Sequence, residues 1–145
     1  MKISTKGRYG LRIMLELSLH FDKNLLTVRE IAEKQGISEK YIEQIISVLN
    51  KAGLVRSQRG AAGGYKLAEP PQATTVGAIL RVTEGGLNVV DCVSGNADSC
   101  DMIEECVTID VWRAIKEAIE SVVDNITLAD LVIKYNENFN FSYMI

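Results

Sequence analysis

The sequence has little of several residue types and lacks the long apolar segments of membrane and secreted proteins. Only two of the 145 residues are proline, and histidine and tryptophan occur once each. No apolar run approaches the roughly 20 residues of a membrane-spanning helix, and the start, MKISTKGRYG, has no apolar signal region. We therefore expect a cytoplasmic protein of about one domain, with no membrane partner.

Residue combinations typical of enzymes are also missing. We find no nucleophile with a neighbouring base, no phosphate-binding loop and no paired carboxylates in a recognisable catalytic motif. The sequence therefore predicts a protein that is not an enzyme.

Basic residues are concentrated in one half of the chain. Residues 1–69 carry twelve Lys and Arg against seven Asp and Glu, whereas residues 70–145 carry four against twelve. The halves therefore have net charges of +5 and −8 within a total of −3. A basic N-terminal half favours a polyanionic partner, and the acidic half indicates a different role.

Cysteine is confined to one acidic segment, DCVSGNADSCDMIEEC, which spans residues 91–106. Cys92, Cys100 and Cys106 are an odd number of cysteines, and in a reducing compartment a disulfide framework is not expected. Three alternatives remain: inert burial, a thiol redox switch and a metal or cluster site. The acidic residues of the loop argue against burial. The loop has no Lys or Arg to stabilise thiolates, which disfavours a redox switch. The wide spacing of the cysteines suits an iron–sulfur cluster better than zinc.

The basic half has the pattern of a winged helix. Thr27 and Glu30 form a capping box for a short helix that Gly36 ends, and Ser38 caps the next helix, which together predict a helix-turn-helix. Two strands joined by RGAAGG follow as the wing. We predict a mostly α fold with a small β wing: a winged helix-turn-helix domain plus a long C-terminal dimerisation helix.

Helix-turn-helix proteins read base edges with the first turns of the second helix, while wing and first-helix cations contact phosphates. The DNA-binding residues predicted on this basis are Ser38, Glu39, Lys40, Glu43, Gln44, Arg56, Arg59, Lys6 and Arg8.

Beyond the wing, an apolar stripe predicts a helix of about 22 residues from about Glu104, or about 33 Å. A capping box of Thr127 and Asp130 then precedes one last helical turn and an aromatic tail. A helix of this length can pair with its twin and place two recognition helices about one DNA turn apart. We therefore expect a homodimer on a double-stranded DNA operator with dyad symmetry.

The segments STKGRYG, RGAAGGY, TVGAILRVTEGG and ITLADL resemble a known family. It is the Rrf2 family of winged-helix regulators, which includes the IscR, NsrR and CymR types, and the resemblance runs from residue 1 to about 131. It implies a dimeric DNA-binding protein in which Glu43 and Arg59 contact DNA. The cysteine pattern is closest to the iron–sulfur cluster regulator.

The resemblance also assigns Cys92, Cys100 and Cys106 as metal ligands of an iron–sulfur cluster, with the two-iron two-sulfur form expected. Its fourth ligand stays open. The IscR type has a histidine where this chain has Ile109, and the acidic ligand of the nitric-oxide sensors corresponds to Arg8. The candidates left are Asp110, Glu104, Glu105, Asp101 and a residue of the other subunit.

Two functions remain from this resemblance. The first is a regulator, expected to be a repressor, that senses iron–sulfur status, redox or nitric oxide through the cluster. The second is a cysteine-metabolism repressor of the CymR type, without a cluster and controlled by cysteine synthase. In either case the expected units are a DNA-binding domain over 1–85, a cysteine loop over 86–106 and a dimerisation helix with a C-terminal tail over 107–145.

Overall fold

The computed structural model of the protein describes residues 2–95 and 100–143. Within these residues the chain forms six α-helices and one two-stranded sheet, with short 3₁₀ turns at Pro71–Ala73 and Asp91–Val93. In chain order they are α1 (Thr5–Leu19), α2 (Val28–Gln35), α3 (Glu39–Lys51), β1 (Val55–Gln58), β2 (Gly64–Leu67), α4 (Val76–Glu84), α5 (Ile109–Val123) and α6 (Leu128–Tyr143). None of the described helices is long and apolar enough to cross a membrane.

Side-chain caps define the helix-turn-helix. The Glu30 N–H donates to the Thr27 hydroxyl, and the Glu30 carboxylate accepts from the Thr27 N–H, which completes the predicted capping box. Gly36 ends α2 with φ of +66°, a conformation that glycine adopts without strain. The Ser38 hydroxyl then accepts from the Tyr41 N–H at the start of α3. The predicted helix-turn-helix is confirmed.

The wing is the antiparallel hairpin of β1 and β2. Its register pairs Val55 with Leu67 and Gln58 with Gly64, and the intervening loop forms the tip. Val55 and Leu67 face the core, whereas Arg56 and Lys66 pair across the strands on the exposed side. The hairpin is therefore anchored by its base and presents its tip to solvent. The mostly α fold with a small β wing is confirmed.

Two glycines allow α1 to lie close against α4. Gly7 and Gly10 are both buried on α1. A Cβ atom at Gly10 would stand 2.8 Å from Thr83 Cγ2, and one at Gly7 would meet the Glu84 carboxylate. The GRYG sequence is thus explained by close packing of the two helices, because any larger side chain would separate them.

The last two helices differ in length from the prediction. Helix α5 begins at Ile109 rather than about Glu104 and has 15 residues. At 1.5 Å per residue it is about 22 Å long rather than 33 Å. Acidic residues precede it and β-branched Val107 and Thr108 stand at its start, which accounts for the late beginning.

In contrast, α6 has 16 residues where one turn and a tail were expected. Its capping box is present, since the Thr127 N–H donates to Asp130 and the Asp130 N–H donates to the Thr127 hydroxyl. Leu128 is fully buried in the core and Leu131 packs against it. Packing on α1 therefore extends a segment whose asparagines have low helix propensity.

Candidate functional site

One face of α3 is exposed and polar. Ile42, Ile45, Ile46 and Leu49 are buried on the opposite face. The five contact residues predicted for α3 and its cap lie on the exposed face: Ser38, Glu39, Lys40, Glu43 and Gln44. Ser47, which the prediction left out, continues this face by one turn. The structure therefore brings the five predicted residues together on a surface that is free to enter a groove.

An aromatic and cationic cluster joins this surface to α1. The Tyr9 and Tyr41 rings meet edge to face with centroids 6.0 Å apart. The Arg12 guanidinium carbon lies 5.1 Å from the Tyr9 ring centroid, a cation–π distance. Arg12 is exposed, and the sequence did not predict it as a contact residue. The one signal for it in the sequence is its spacing of one helical turn from Tyr9.

The two predicted wing arginines have different surroundings. Arg56 lies on β1 and its Nη2 atom is 3.6 Å from Glu69 Oε1, with both side chains well exposed. Arg59 follows β1 at the hairpin tip and is exposed next to Gly60, whose φ is +113°. Lys66 stands opposite Arg56 and was also missed. The wing thus carries three exposed cations: Arg56 and Lys66 on its strands and Arg59 on the glycine-supported turn.

The cations at the start of α1 are spread around the helix. Arg8 is exposed and Lys6 is half-buried in the first turn. Lys2 lines a cavity with Leu87 and Ile119, on the side that faces α5. The exposed face of α3, the Arg12 cluster and the wing together form a basic surface suited to DNA.

The three cysteines are reduced and half-buried in the segment between α4 and α5. Cys106 Sγ lies 3.2 Å from the Thr108 hydroxyl oxygen. Hydrogen bonds from the Thr108 hydroxyl and N–H, with the Ile109 N–H, hold the pKa of the Cys106 thiol below its ordinary value, although Asp110 opposes them. Cys106 is therefore predisposed to the thiolate form, which binds metals.

Cations stand beside Cys92, although the cysteine loop itself carries none. Cys92 lines a cavity of about 360 Å³ together with Arg113, Lys116 and Glu117 of α5. The Lys116 ammonium donates to the Val93 carbonyl at 3.1 Å, which fastens the loop to the helix. Helix α5 therefore places two cations, Arg113 and Lys116, and two acids, Glu117 and Glu120, around the cavity that Cys92 lines.

The donor chemistry of this segment fits an iron–sulfur cluster, since three thiols occupy one loop. Across residues 2–95 and 100–143, however, no three Cys, His, Asp or Glu side chains are grouped closely enough to hold a metal ion. Ile109 is buried and offers no donor where the IscR type has histidine. The three cysteines must therefore approach one another before they can share a cluster.

The single histidine lies apart from this loop. His20 is half-buried, its Nδ1 is 3.0 Å from the Glu16 carbonyl oxygen, and its Nε2 is 3.3 Å from Lys34 Nζ. These contacts hold the His20 ring between Glu16 and Lys34.

Comparison with known proteins decides the family. A family model described as "Rrf2: Iron-dependent Transcriptional regulator" matches residues 3–134. This chain belongs to the Rrf2 family of transcriptional regulators. As a member of the Rrf2 family it is a DNA-binding regulator and not an enzyme, as its sequence predicted.

Two types of Rrf2 regulator are similar to this chain to about the same degree. The HTH-type transcriptional regulator CymR of Bacillus subtilis is 42% identical over 144 residues, which are 99% of this chain and 98% of that protein. The regulator IscR of Yersinia enterocolitica is 39% identical over 132 residues, or 91% of this chain and 79% of that protein.

Solved structures of both types have the same fold as this chain. The structure of CymR, the global cysteine regulator of B. subtilis, has a TM-score of 0.76 and 40% identity, and covers 92% of this chain and 98% of its own. The T. potens IscR structure has a TM-score of 0.76 and 43% identity, and covers 95% of this chain and 90% of its own. Membership of the Rrf2 family is therefore clear, whereas these matches do not choose between its two types.

Proposed function

We propose that this chain is a homodimeric regulator whose binding to a dyad-symmetric DNA operator responds to an iron–sulfur cluster held by Cys92, Cys100 and Cys106. The observation that carries the proposal is the position of three reduced, half-buried thiols in one segment that leads directly into α5. Its similarity to T. potens IscR supports the same function. The expected form is the two-iron two-sulfur cluster, and repression is the expected effect.

The homodimer is supported by the exposed apolar face of α5. Ile109 is the one residue of this helix that is buried. Val111 and Val122 are 53% and 58% exposed. Between α4 and α5 lies an almost wholly apolar groove of about 530 Å³, and a second copy of α5 would bury it.

The DNA contacts in this proposal are those that the sequence predicted, with Arg12 added from the structure. The α3 surface would read bases in the major groove, while Arg59 at the wing tip and Arg12 beside Tyr9 would contact phosphates. Arg56, Lys6 and Arg8 remain proposed contributors to the same basic surface. We keep the proposed division into a DNA-binding unit over 1–85, a cysteine loop over 86–106 and a dimerisation region over 107–145.

When bound, an iron–sulfur cluster supplies iron and sulfide whose redox state and integrity depend on oxidants and nitric oxide. This chain supplies the thiols, and it also controls their surroundings. Arg113, Lys116, Glu117 and Glu120 line the cavity beside Cys92, and the Thr108 hydroxyl favours the Cys106 thiolate. The Lys116 bond to the Val93 carbonyl connects the loop to the dimerisation helix.

Anaerobic purification followed by an absorption spectrum and by iron and sulfide analysis tests the cluster. We expect visible absorbance with iron and sulfide in near-equal amounts, and we expect both to be lost in Cys92→Ala. Ser94→Ala is the matched control, because it alters the same loop without removing a thiol. A colourless, iron-free chain that still binds DNA would refute the cluster.

The alternative is a cysteine-metabolism repressor that binds cysteine synthase and carries no cluster. It is favoured by the near-complete length match with CymR of B. subtilis and by the separation of the thiols in the described residues. Biolayer interferometry of purified cysteine synthase on the cluster-free chain tests it. Saturable binding that changes operator affinity would support this alternative, and its absence would refute it.

A further inference from the structure

Helix α4 is fastened to the C-terminal end of α5 by the backbone. The Val76 N–H, at the start of α4, donates to the Ile126 carbonyl at 2.8 Å, and the Leu128 N–H donates to the Thr74 carbonyl at 2.9 Å. The segment before α4 thus pairs with the segment after α5. This pairing fixes one point of contact between the helices and leaves their relative angle to the side chains.

A three-residue ion cluster provides the second point of contact. The Arg81 guanidinium donates from Nη1 to Asp124 Oδ1 at 2.6 Å and from Nη2 to Asp124 Oδ2 at 2.8 Å. Its Nη2 also lies 3.4 Å from Glu120 Oε1. This bidentate geometry fixes the orientation of the two side chains as well as the distance between them, which a single hydrogen bond does not.

The backbone of α4 is shaped to admit this cluster. A Cβ atom at Gly77 would fall on the Asp124 carboxylate and would stand 2.8 Å from Arg81 Nη1. Gly77 lies inside a helix and its φ is not in the left-handed region, so backbone conformation does not require glycine there. Position 77 needs glycine because the Asp124 carboxylate lies where a Cβ atom would stand.

On its other side α4 holds the DNA-binding helices. The Ser4 hydroxyl donates to Glu84 Oε1 at 2.6 Å, and the Ser4 N–H donates to the same oxygen at 3.2 Å. Glu84 therefore attaches the start of α1 to the end of α4, one helical turn from Arg81. Glu120 also lines the Cys92 cavity, so the ion cluster connects the wall of that cavity to α4.

We propose that the Arg81–Asp124 pair is a positioning element that sets the angle between α5 and the DNA-binding unit, and so the distance between the two recognition helices of the dimer. The inference rests on the proposed homodimer. A dimer reads half-sites at a fixed separation because its recognition helices are held at that separation. The ion pair therefore determines which half-site spacing is bound best, without contacting DNA.

The test measures spacing preference. A dyad operator is selected from random DNA with the wild-type chain, and its half-site spacing is then lengthened and shortened by one base pair. We expect wild type to prefer the selected spacing, and we expect this preference to fall about two- to fivefold in Arg81→Gln, the range for a partly exposed ion pair. Affinity for a single half-site should stay unchanged, which a general loss of folding would not allow.

A double-variant cycle and a charge control complete the test. Arg81→Gln combined with Asp124→Asn should be no worse than Arg81→Gln alone, because Arg81→Gln already removes the pair with Asp124. Gly77→Ala should reproduce the loss by displacing Asp124, and Lys134→Gln, an exposed cation on α6, should keep the wild-type preference. An unchanged preference in Arg81→Gln would overturn this inference alone. No spacing preference in wild type would overturn it together with the homodimer.

Discussion

Replacing Gly10 by alanine tests the close packing of α1 on α4 in a way that separates two opposing effects. In an ordinary helix the change would stabilise the protein by about 1 kcal/mol, because alanine has the higher helix propensity. Here the new Cβ would stand 2.8 Å from Thr83 Cγ2. Thr83 is 5% exposed and its hydroxyl donates to the Ile79 carbonyl at 3.0 Å, so it cannot easily move aside.

The balance of these two effects predicts a net loss of stability in Gly10→Ala. Overpacking a buried contact of this kind costs about 1–3 kcal/mol. Set against the propensity gain, Gly10→Ala should lower the free energy of unfolding by up to about 2 kcal/mol. Thr83→Ser removes the methyl group that would clash and keeps the hydroxyl, at a cost of about 1 kcal/mol for the lost burial.

The combination of the two substitutions is the decisive measurement. In Gly10→Ala with Thr83→Ser, the new Cβ has the space of the lost methyl, so stability should return close to wild type. The coupling between the two changes should therefore be about 1–3 kcal/mol in favour of the double variant. Chemical denaturation followed by far-UV circular dichroism measures it, with all proteins at one concentration because dimer stability depends on concentration.

Additive effects in this cycle would refute the packing argument. The same conclusion would follow if Gly10→Ala alone raised stability by about 1 kcal/mol, since propensity would then act without opposition.

Three further outcomes follow from the structure. Arg59→Ala should weaken operator binding and reduce the slope of log affinity against log salt by about 1, in a titration by fluorescence anisotropy, while Lys134→Gln should leave both unchanged. Val122→Asp should yield a folded monomer by sedimentation velocity, because it places a charge on the apolar face of α5; a dimer would contradict the proposed interface. The Thr127 N–H and hydroxyl hold the pKa of Asp130 below its ordinary value, so its contribution to stability is present above about pH 4 and is lost as pH falls further. Asp130→Asn should therefore reduce the loss of stability at acid pH, and an unchanged pH profile would show that the cap does not contribute.

Local signals in the sequence were enough for the DNA-binding unit. Caps depend on one side chain and a few backbone groups, so Thr27, Ser38 and Gly36 marked the helix-turn-helix correctly. The exposed face of α3 followed from the same reasoning, because the buried isoleucines fix the orientation of the helix.

Features that depend on distant parts of the chain could not be predicted this way. The first turn of α6 is held by Leu128 and Leu131, which pack on the core, and its local propensity does not show this. Lys116 donates to the carbonyl of Val93 from 23 residues away, a contact that the composition of the cysteine loop does not indicate. Arg81 and Asp124 are 43 residues apart, and neither stands in a motif.

Operator affinity, measured on one preparation before and after anaerobic removal of the cluster, tests whether the cysteine loop controls DNA binding. We expect dissociation constants that differ by about 5- to 150-fold, the usual range for coupling between two sites. Equal dissociation constants for the loaded and cluster-free chain would contradict it, because the cysteine loop would then have no influence on the DNA-binding surface.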